Sequence, residues 1–198
     1  MNKVSLFCSA VLIAVAAQVC AFAIAEQSQS KIYQVGRLKP VDSQSTLKVG
    51  DKAPDFNLPS VSGERVSLGA YAGKKNVVIS FVPAAWTPVC SDQWPGYNIL
   101  RDKFEAENAV LLGISVDNIP TLFAWTSEMG KLWFPVLSDF WPHGEVAGKY
   151  GVLRTNGVSE RAIFVIDRQG IIRYIDVHDI NERPKAEVLM AELEKLSK

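Results

Sequence analysis

Cysteine is almost absent from this 198-residue chain: Cys8 and Cys20 fall in the first 25 residues and Cys90 stands alone in the rest. One thiol cannot close a disulfide within 26–198, so the fold there must rest on its apolar core. Histidine is scarcer still. His143 and His178 are far apart and belong to no Cys/His cluster, which argues against a zinc-type site, even with Asp176 and Asp179 beside His178. Neither charge sign dominates, with 21 Lys+Arg against 21 Asp+Glu. With no basic arm or patch, nucleic acid is not an expected partner. The chain also lacks a glycine-rich phosphate loop, an internal repeat and a low-complexity tract. No metal and no cofactor are expected.

The one long apolar run lies at the start. Lys3 precedes a nearly all-apolar stretch from Leu6 to Ala17, and Ala21-Phe22-Ala23 and Ala23-Ile24-Ala25 both offer small-x-small cleavage sites. Residues 1–25 are therefore predicted to be a signal peptide, and the protein to be exported, periplasmic or extracellular. The alternative is a retained membrane anchor, since Val4 to Ala25 is almost long enough to span a bilayer. Ala17-Gln18-Val19 before Cys20 is a poor lipid-attachment box. Residues 26–47 are polar and weakly periodic and read as a linker, leaving 48–198 as one domain with room for a full core.

Within that domain, Ala53 to Leu58 and Arg65 to Leu68 flank a turn holding Gly63 and suggest a hairpin. Val77–Val82 and Val110–Val116 are unbroken apolar runs, read as strands buried on both faces. Helices are expected from Pro88 to about Glu107, from Pro120 to about Met129, over Glu145–Tyr150, and from Pro184 to Leu196. Phe134–Leu137 is short and strand-like. Arg161–Ile166 and Ile171–Val177 are strands across the tight turn Asp167-Arg168-Gln169-Gly170, hence antiparallel. The pattern predicts an α/β fold: a mixed sheet flanked by helices on both faces.

Cys90 follows the first buried strand directly. Thr87 is a good N-cap and Pro88 suits the first helical position, which makes Cys90 the third helical residue. That position favours an anion, and a thiolate there faces unpaired N–H groups and the positive end of the helix. The competing reading is a small buried hydrophobe at an ordinary helix start. Arg161 alone reads most simply as an ion-pair partner of Glu160 or Asp167.

Pro83-x-x-x-Thr87-x-x-Cys90 resembles the active-site pattern of the peroxiredoxins. Gly113-Ile114-Ser115-Val116-Asp117 is similar to that family's second core strand. Leu137-Ser138-Asp139-Phe140-Trp141-Pro142-His143-Gly144 resembles a stretch of its one-cysteine, alkyl hydroperoxide reductase E-type branch, and Arg161 stands where the family has its active-site arginine. The resemblance spans about 49–195. It implies a thioredoxin-like fold and a thiol-dependent peroxidase. Cys90 would attack hydrogen peroxide or an organic hydroperoxide and become a sulfenic acid. Thr87 would hydrogen-bond the peroxide and thiolate, Arg161 would hold the thiolate and the reacting oxygens, and Pro83 would shield the site. Trp86, Val89 and Gln93 are neighbours expected to line the substrate position. With no second cysteine beyond residue 25, recycling would need an external thiol, either a thioredoxin-like protein or a low-molecular-weight thiol. A homodimer is also implied, and His143 is expected in a loop or interface.

Making thiolate is a small lever by itself. Lowering any thiol's pKa from ~8.5 to ~6.5 raises its thiolate fraction at pH 7 only about 25-fold, or roughly 2 kcal/mol of barrier. Orienting and polarising the O–O bond must supply the rest. The chain departs from the common pattern at Trp86, where Phe is usual, and at Ser91 and Gln93, where Thr and Glu are common. Two other functions compete. A thioredoxin-like disulfide reductase would use the Trp86-Thr87-Pro88-Val89-Cys90 segment, but Thr87 occupies the place of the first cysteine, and dithiol exchange needs two sulfurs. A non-catalytic peroxide sensor or adaptor would oxidise once and pass the oxidation on.

Overall fold

Among the described residues, seven strands and five helices lie in the order β1 (Asn57–Pro59), β2 (Arg65–Ser67), β3 (Asn76–Phe81), α1 (Pro88–Asn98), α2 (Arg101–Ala106), β4 (Ala109–Ser115), α3 (Ile119–Glu128), β5 (Val136–Ser138), α4 (Glu145–Lys149), β6 (Arg161–Ile166), β7 (Ile172–His178) and α5 (Ala186–Glu194), with a short 3-10 turn at Leu68–Tyr71. This computed structural model describes residues 31–196, so the leader reading and Cys8 and Cys20 lie outside the described residues. Among the described residues no helix is long and apolar enough to cross a membrane.

β1 and β2 form the expected antiparallel hairpin. The main sheet has the order β5-β4-β3-β6-β7. β3 runs parallel to β4 and antiparallel to β6, and β6 runs antiparallel to β7. β3 is buried at every position, as its unbroken apolar run requires. Alternation divides it cleanly. Val77, Ile79 and Phe81 join Phe164, Tyr150 and the α4 residues Val146 and Ala147 on one face. Val78 joins Ile163 and Val165 on the other, under Trp94, Trp125 and Leu189 from α1, α3 and α5. Helices thus cover both faces.

Trp94 is wholly buried and lies flat on β4 at Gly113, where an added Cβ would stand 2.8 Å from its Cζ2. Gly113 therefore admits a ring whose burial contributes about 4–6 kcal/mol of gross apolar stabilisation. The helix expected over 88–107 is instead two, broken at Ile99–Leu100. Pro95 cannot donate to the ladder, and the Asn98 side chain turns away to bond the Lys131 carbonyl and the Trp133 N–H, each at 3.1 Å.

The segment read as linker is, from Leu38 onward, laid along the domain. Leu38 bonds the Asn181 side chain, Asp42 and Ser43 bond Glu160, and Ser45 bonds the Tyr150 carbonyl. The whole stretch from Val35 belongs to the same compact unit as the sheet. Side-chain and loop hydrogen bonds hold it, and these leave no periodic trace in sequence.

Candidate active site

The register of β3 builds the site. Phe81, last in β3, lies opposite Ala162, second in β6. The loop that leaves β3 therefore begins beside Arg161, the first residue of β6. That loop is pinned at three points. The Val82 N–H donates to the Ile114 carbonyl at 3.0 Å, the Ser159 hydroxyl donates to the Val82 carbonyl at 2.9 Å, and the Ala85 N–H donates to the Asp117 carboxylate at 2.8 Å. Trp86 then takes a left-handed backbone, with φ of 61°. A bulky residue there carries strain that its surroundings must sustain, a pattern found at functional loops.

Thr87 has the extended backbone of an N-cap, and Pro88 opens α1 as expected. Its hydroxyl, however, does not cap the helix. It donates to the Ala84 carbonyl at 2.9 Å, which leaves the oxygen lone pairs to accept. The first helical bond runs from the Ser91 N–H to the Thr87 carbonyl. The amides of Val89 and Cys90 precede that ladder, at the positive end of the helix.

Cys90 is completely buried, and its sulfur lies 3.4 Å from Nη2 of Arg161. The Arg161 guanidinium is also buried and spreads its donors over three acceptors. Nε and Nη2 reach the Ile180 carbonyl at 3.3 and 3.1 Å, Nη1 reaches Gln93 Oε1, and Nη2 reaches the sulfur. Gln93 passes the network inward, donating to Ser80 Oγ at 3.1 Å and to the Tyr97 hydroxyl at 3.4 Å. Ser80 also accepts from Trp94 Nε1 at 3.2 Å. Burial pushes the Tyr97 phenol up, so it stays protonated and neutral.

The simplest expectation for Arg161 is overturned. Glu160 is turned to Arg154 in a buried pair, and Asp167 holds Arg173 at 2.6 Å. Among the described residues no carboxylate lies within ion-pair reach of Arg161. A buried cation without an anion costs several kcal/mol, and the Cys90 sulfur is the one neighbour able to become that anion.

Of the residues singled out in the sequence, Cys90, Arg161 and Gln93 thus share one hydrogen-bonded cluster, with Thr87 one turn of chain away. Pro83 is buried in the loop, and Trp86 and Val89 are half-buried along it. Sequence reasoning missed Asp117, which tethers the loop, and Ser80, whose signal was a hydroxyl inside an apolar strand. It also missed the Ile180 carbonyl, which carries no sequence signal. His143 Nε2 meets the Gly157 carbonyl at 2.7 Å, and His178 Nδ1 lies 3.2 Å from Asp176 Oδ2. Among the described residues no group of three His, Cys, Asp or Glu could hold a metal.

A buried thiol at a helix start, faced by an arginine from the neighbouring antiparallel strand, on a mixed α/β sheet, defines a thiol-centred redox protein. Residues 49–175 match the AhpC/TSA family, and the chain belongs to it. It is 40% identical over 137 residues to alkyl hydroperoxide reductase E of Mycobacterium tuberculosis, covering 69% of this chain and 89% of that protein. It is 32% identical over 145 residues to the chloroplastic 2-cysteine peroxiredoxin of Chattonella marina var. antiqua, covering 69% and 73%. The crystal structure of the reduced 2-Cys peroxiredoxin of Plasmodium vivax superposes with a TM-score of 0.72 at 28% identity, over 76% of this chain and 82% of that one. The fold is accordingly that of the peroxiredoxins.

Proposed function

We propose that the protein is a thiol-dependent peroxidase with Cys90 as its nucleophile. The observation that carries this reading is the 3.4 Å approach of the Cys90 sulfur to a buried guanidinium that has no carboxylate partner among the described residues. The deprotonated sulfur supplies the missing negative charge and attacks one peroxide oxygen. An S–O bond forms as the O–O bond breaks, two electrons pass from sulfur to oxygen, and the departing oxygen takes a proton and leaves as water or an alcohol. Arg161 and the free amides of the first turn stabilise charge on the reacting oxygens. The Thr87 hydroxyl, whose proton is committed to Ala84, accepts from the peroxide O–H and sets its angle of approach. The Cys90 sulfenic acid then meets an external thiol, forming a mixed disulfide and water, and a second thiol restores Cys90.

Further features support three accompanying proposals. Cys90 is the one cysteine among residues 26–198, which favours an outside reductant over an internal partner. The exposed pair Phe140 and Trp141 suits contact with a second copy of the chain. The sequence from Lys3 to Ala25 favours export, which N-terminal sequencing of the protein recovered from its native compartment tests. The central test is stopped-flow tryptophan fluorescence of the reduced protein mixed with hydrogen peroxide. Fast, concentration-dependent oxidation that vanishes in Cys90→Ser is expected. A rate no better than a free thiol's overturns the reading in favour of an adaptor.

A further inference from the structure

We propose that the strap Leu38–Ser45 is part of the active-site machinery: it fixes the Ile180 carbonyl and, through it, holds the Arg161 guanidinium against Cys90, with Asn181 as the clamp. This inference rests on the peroxidase reading.

Ile180 and Asn181 are gripped from the strap on both sides of one carbonyl. On one side the Ile180 N–H donates to the Pro40 carbonyl at 3.0 Å. On the other, the Asn181 side chain accepts from the Leu38 N–H at 2.8 Å and donates to the Leu38 carbonyl at 2.9 Å. Between these anchors the Ile180 carbonyl receives both Nε and Nη2 of Arg161. Nη2 is the same nitrogen that approaches the sulfur. A shift of this carbonyl therefore moves the guanidinium relative to the reacting atom.

The strap has its own foundation, built next to Arg161 in sequence. Glu160, wholly buried, accepts from the amides of Asp42 and Ser43 at 2.6 and 2.7 Å and pairs with Arg154. Arg154 in turn donates to the Lys39 carbonyl at 2.8 Å. Downstream, Gly151 lets the strap come close: a Cβ there would stand 2.6 Å from Cα of Ser45. A segment placed this firmly, by a buried ion pair and a bidentate side chain, can hold a carbonyl at fixed distance in a way a solvated linker cannot. Both halves of the clamp, 38–45 and 180–181, lie outside the residues 49–175 that match the family.

The test uses the full chain and approaches the clamp from both sides. Asn181→Ala removes the bidentate side chain, and Leu38→Pro removes one donor from the strap. Each is made alone and in an Arg161→Ala background. Hydrogen exchange of the Ile180 amide in both variants, and of the Leu38 amide in Asn181→Ala, reports release of the strap, and stopped-flow reports the second-order rate of Cys90 oxidation by hydrogen peroxide. Both single variants are expected to exchange faster and to lose rate by about 10-fold or more, since small misplacements at a reacting centre are costly. In the Arg161→Ala background the same changes are expected to alter the rate by less than about 2-fold, because the effect passes through the guanidinium. Three outcomes overturn the assignment: a released strap with an unchanged rate, equal fold losses in both backgrounds, or amides that stay protected in both variants. If the unsubstituted protein oxidises no faster than a free thiol, the peroxidase reading falls and takes this inference with it. If it is fast and the variants match it, the positioning role alone falls.

Discussion

Nη2 of Arg161 stands 3.4 Å from the sulfur of Cys90, although 71 positions separate the two in the chain. Antiparallel pairing of β3 with β6 closes that distance, and the guanidinium arrives without a carboxylate partner among the described residues.

Replacing that guanidinium tests its role directly. Arg161→Met removes the donors nearest the reacting oxygens and is expected to slow peroxide oxidation of Cys90 by ~10²–10³, the cost of losing one oriented donor set at a developing charge. Arg161→Lys keeps a charge but loses the fork that reaches sulfur, Ile180 and Gln93 together, so it is expected to recover only part of the rate. Stopped-flow measurement at neutral pH decides. Equal rates in Arg161→Met and the unsubstituted protein would remove Arg161 from the site.

Gln93→Glu places a carboxylate where Nη1 of Arg161 now finds a neutral oxygen. The hydroxyls of Ser80 and Tyr97 can turn to donate to it, so the fold is expected to tolerate the change. Glu is common at this position in the pattern the chain resembles, so a carboxylate there can share the guanidinium with the sulfur. The rate of oxidation is expected to stay within about 3-fold while the thermal midpoint stays level or rises. A rate lowered about 10-fold or more would mean that the carboxylate takes the guanidinium from the sulfur.

Thr87 separates reactivity toward peroxide from reactivity in general. Its hydroxyl can accept from a peroxide but has nothing to offer an alkylating agent. Thr87→Val is expected to slow the peroxide reaction by ~10², and alkylation of Cys90 by iodoacetamide by only a fewfold. It also leaves the Ala84 carbonyl without its donor, at a cost of about 1–3 kcal/mol if that carbonyl finds no water. Thr87→Ser is expected to restore most of the rate. Similar losses in both reactions would show that the residue acts on the thiol and not on the peroxide.

The strap should loosen in acid. Hydrogen bonds from the Lys39 ammonium, then from the Thr155 hydroxyl and amide, hold the Asp42 carboxyl well below its ordinary value of 3.8. A carboxyl depressed on folding lends stability that is complete above the ordinary value and disappears as pH falls from there through the folded value. The urea midpoint of Asp42→Asn is therefore expected to lie below that of the unsubstituted protein at pH 7, with the gap constant down to about pH 5 and closing below about pH 4. A gap independent of pH would show that the carboxylate's charge plays no part.

Much of this architecture is legible in the sequence because burial leaves periodic marks. The unbroken runs at Val77–Val82 and Val110–Val116 become β3 and β4, and the turn at 167–170 sets β6 against β7. Thr87 and Pro88 mark the start of α1 to the residue. Interactions that bond by shape rather than by pattern are invisible. Nothing in the sequence says that Glu160 prefers Arg154 and so leaves its neighbour Arg161 for the sulfur. The break at Ile99–Leu100 depends on partners that Asn98 finds more than thirty residues away. The strap is held by main-chain groups and by a few side chains of ordinary polarity, a composition that reads as linker. The Thr87 hydroxyl illustrates the same limit, since residue type makes it a good cap and local geometry sends its proton to Ala84 instead.

The isolation of Arg161 from every described carboxylate also makes the interior's electroneutrality depend on the oxidation state of one atom. A deprotonated sulfur balances the guanidinium, whereas a sulfenic acid is neutral and leaves a solitary cation sealed beneath α1. The sulfur is wholly enclosed, so this change of charge falls where water cannot screen it, and the reduced and oxidised proteins differ in the electrostatics of a buried site rather than of a surface.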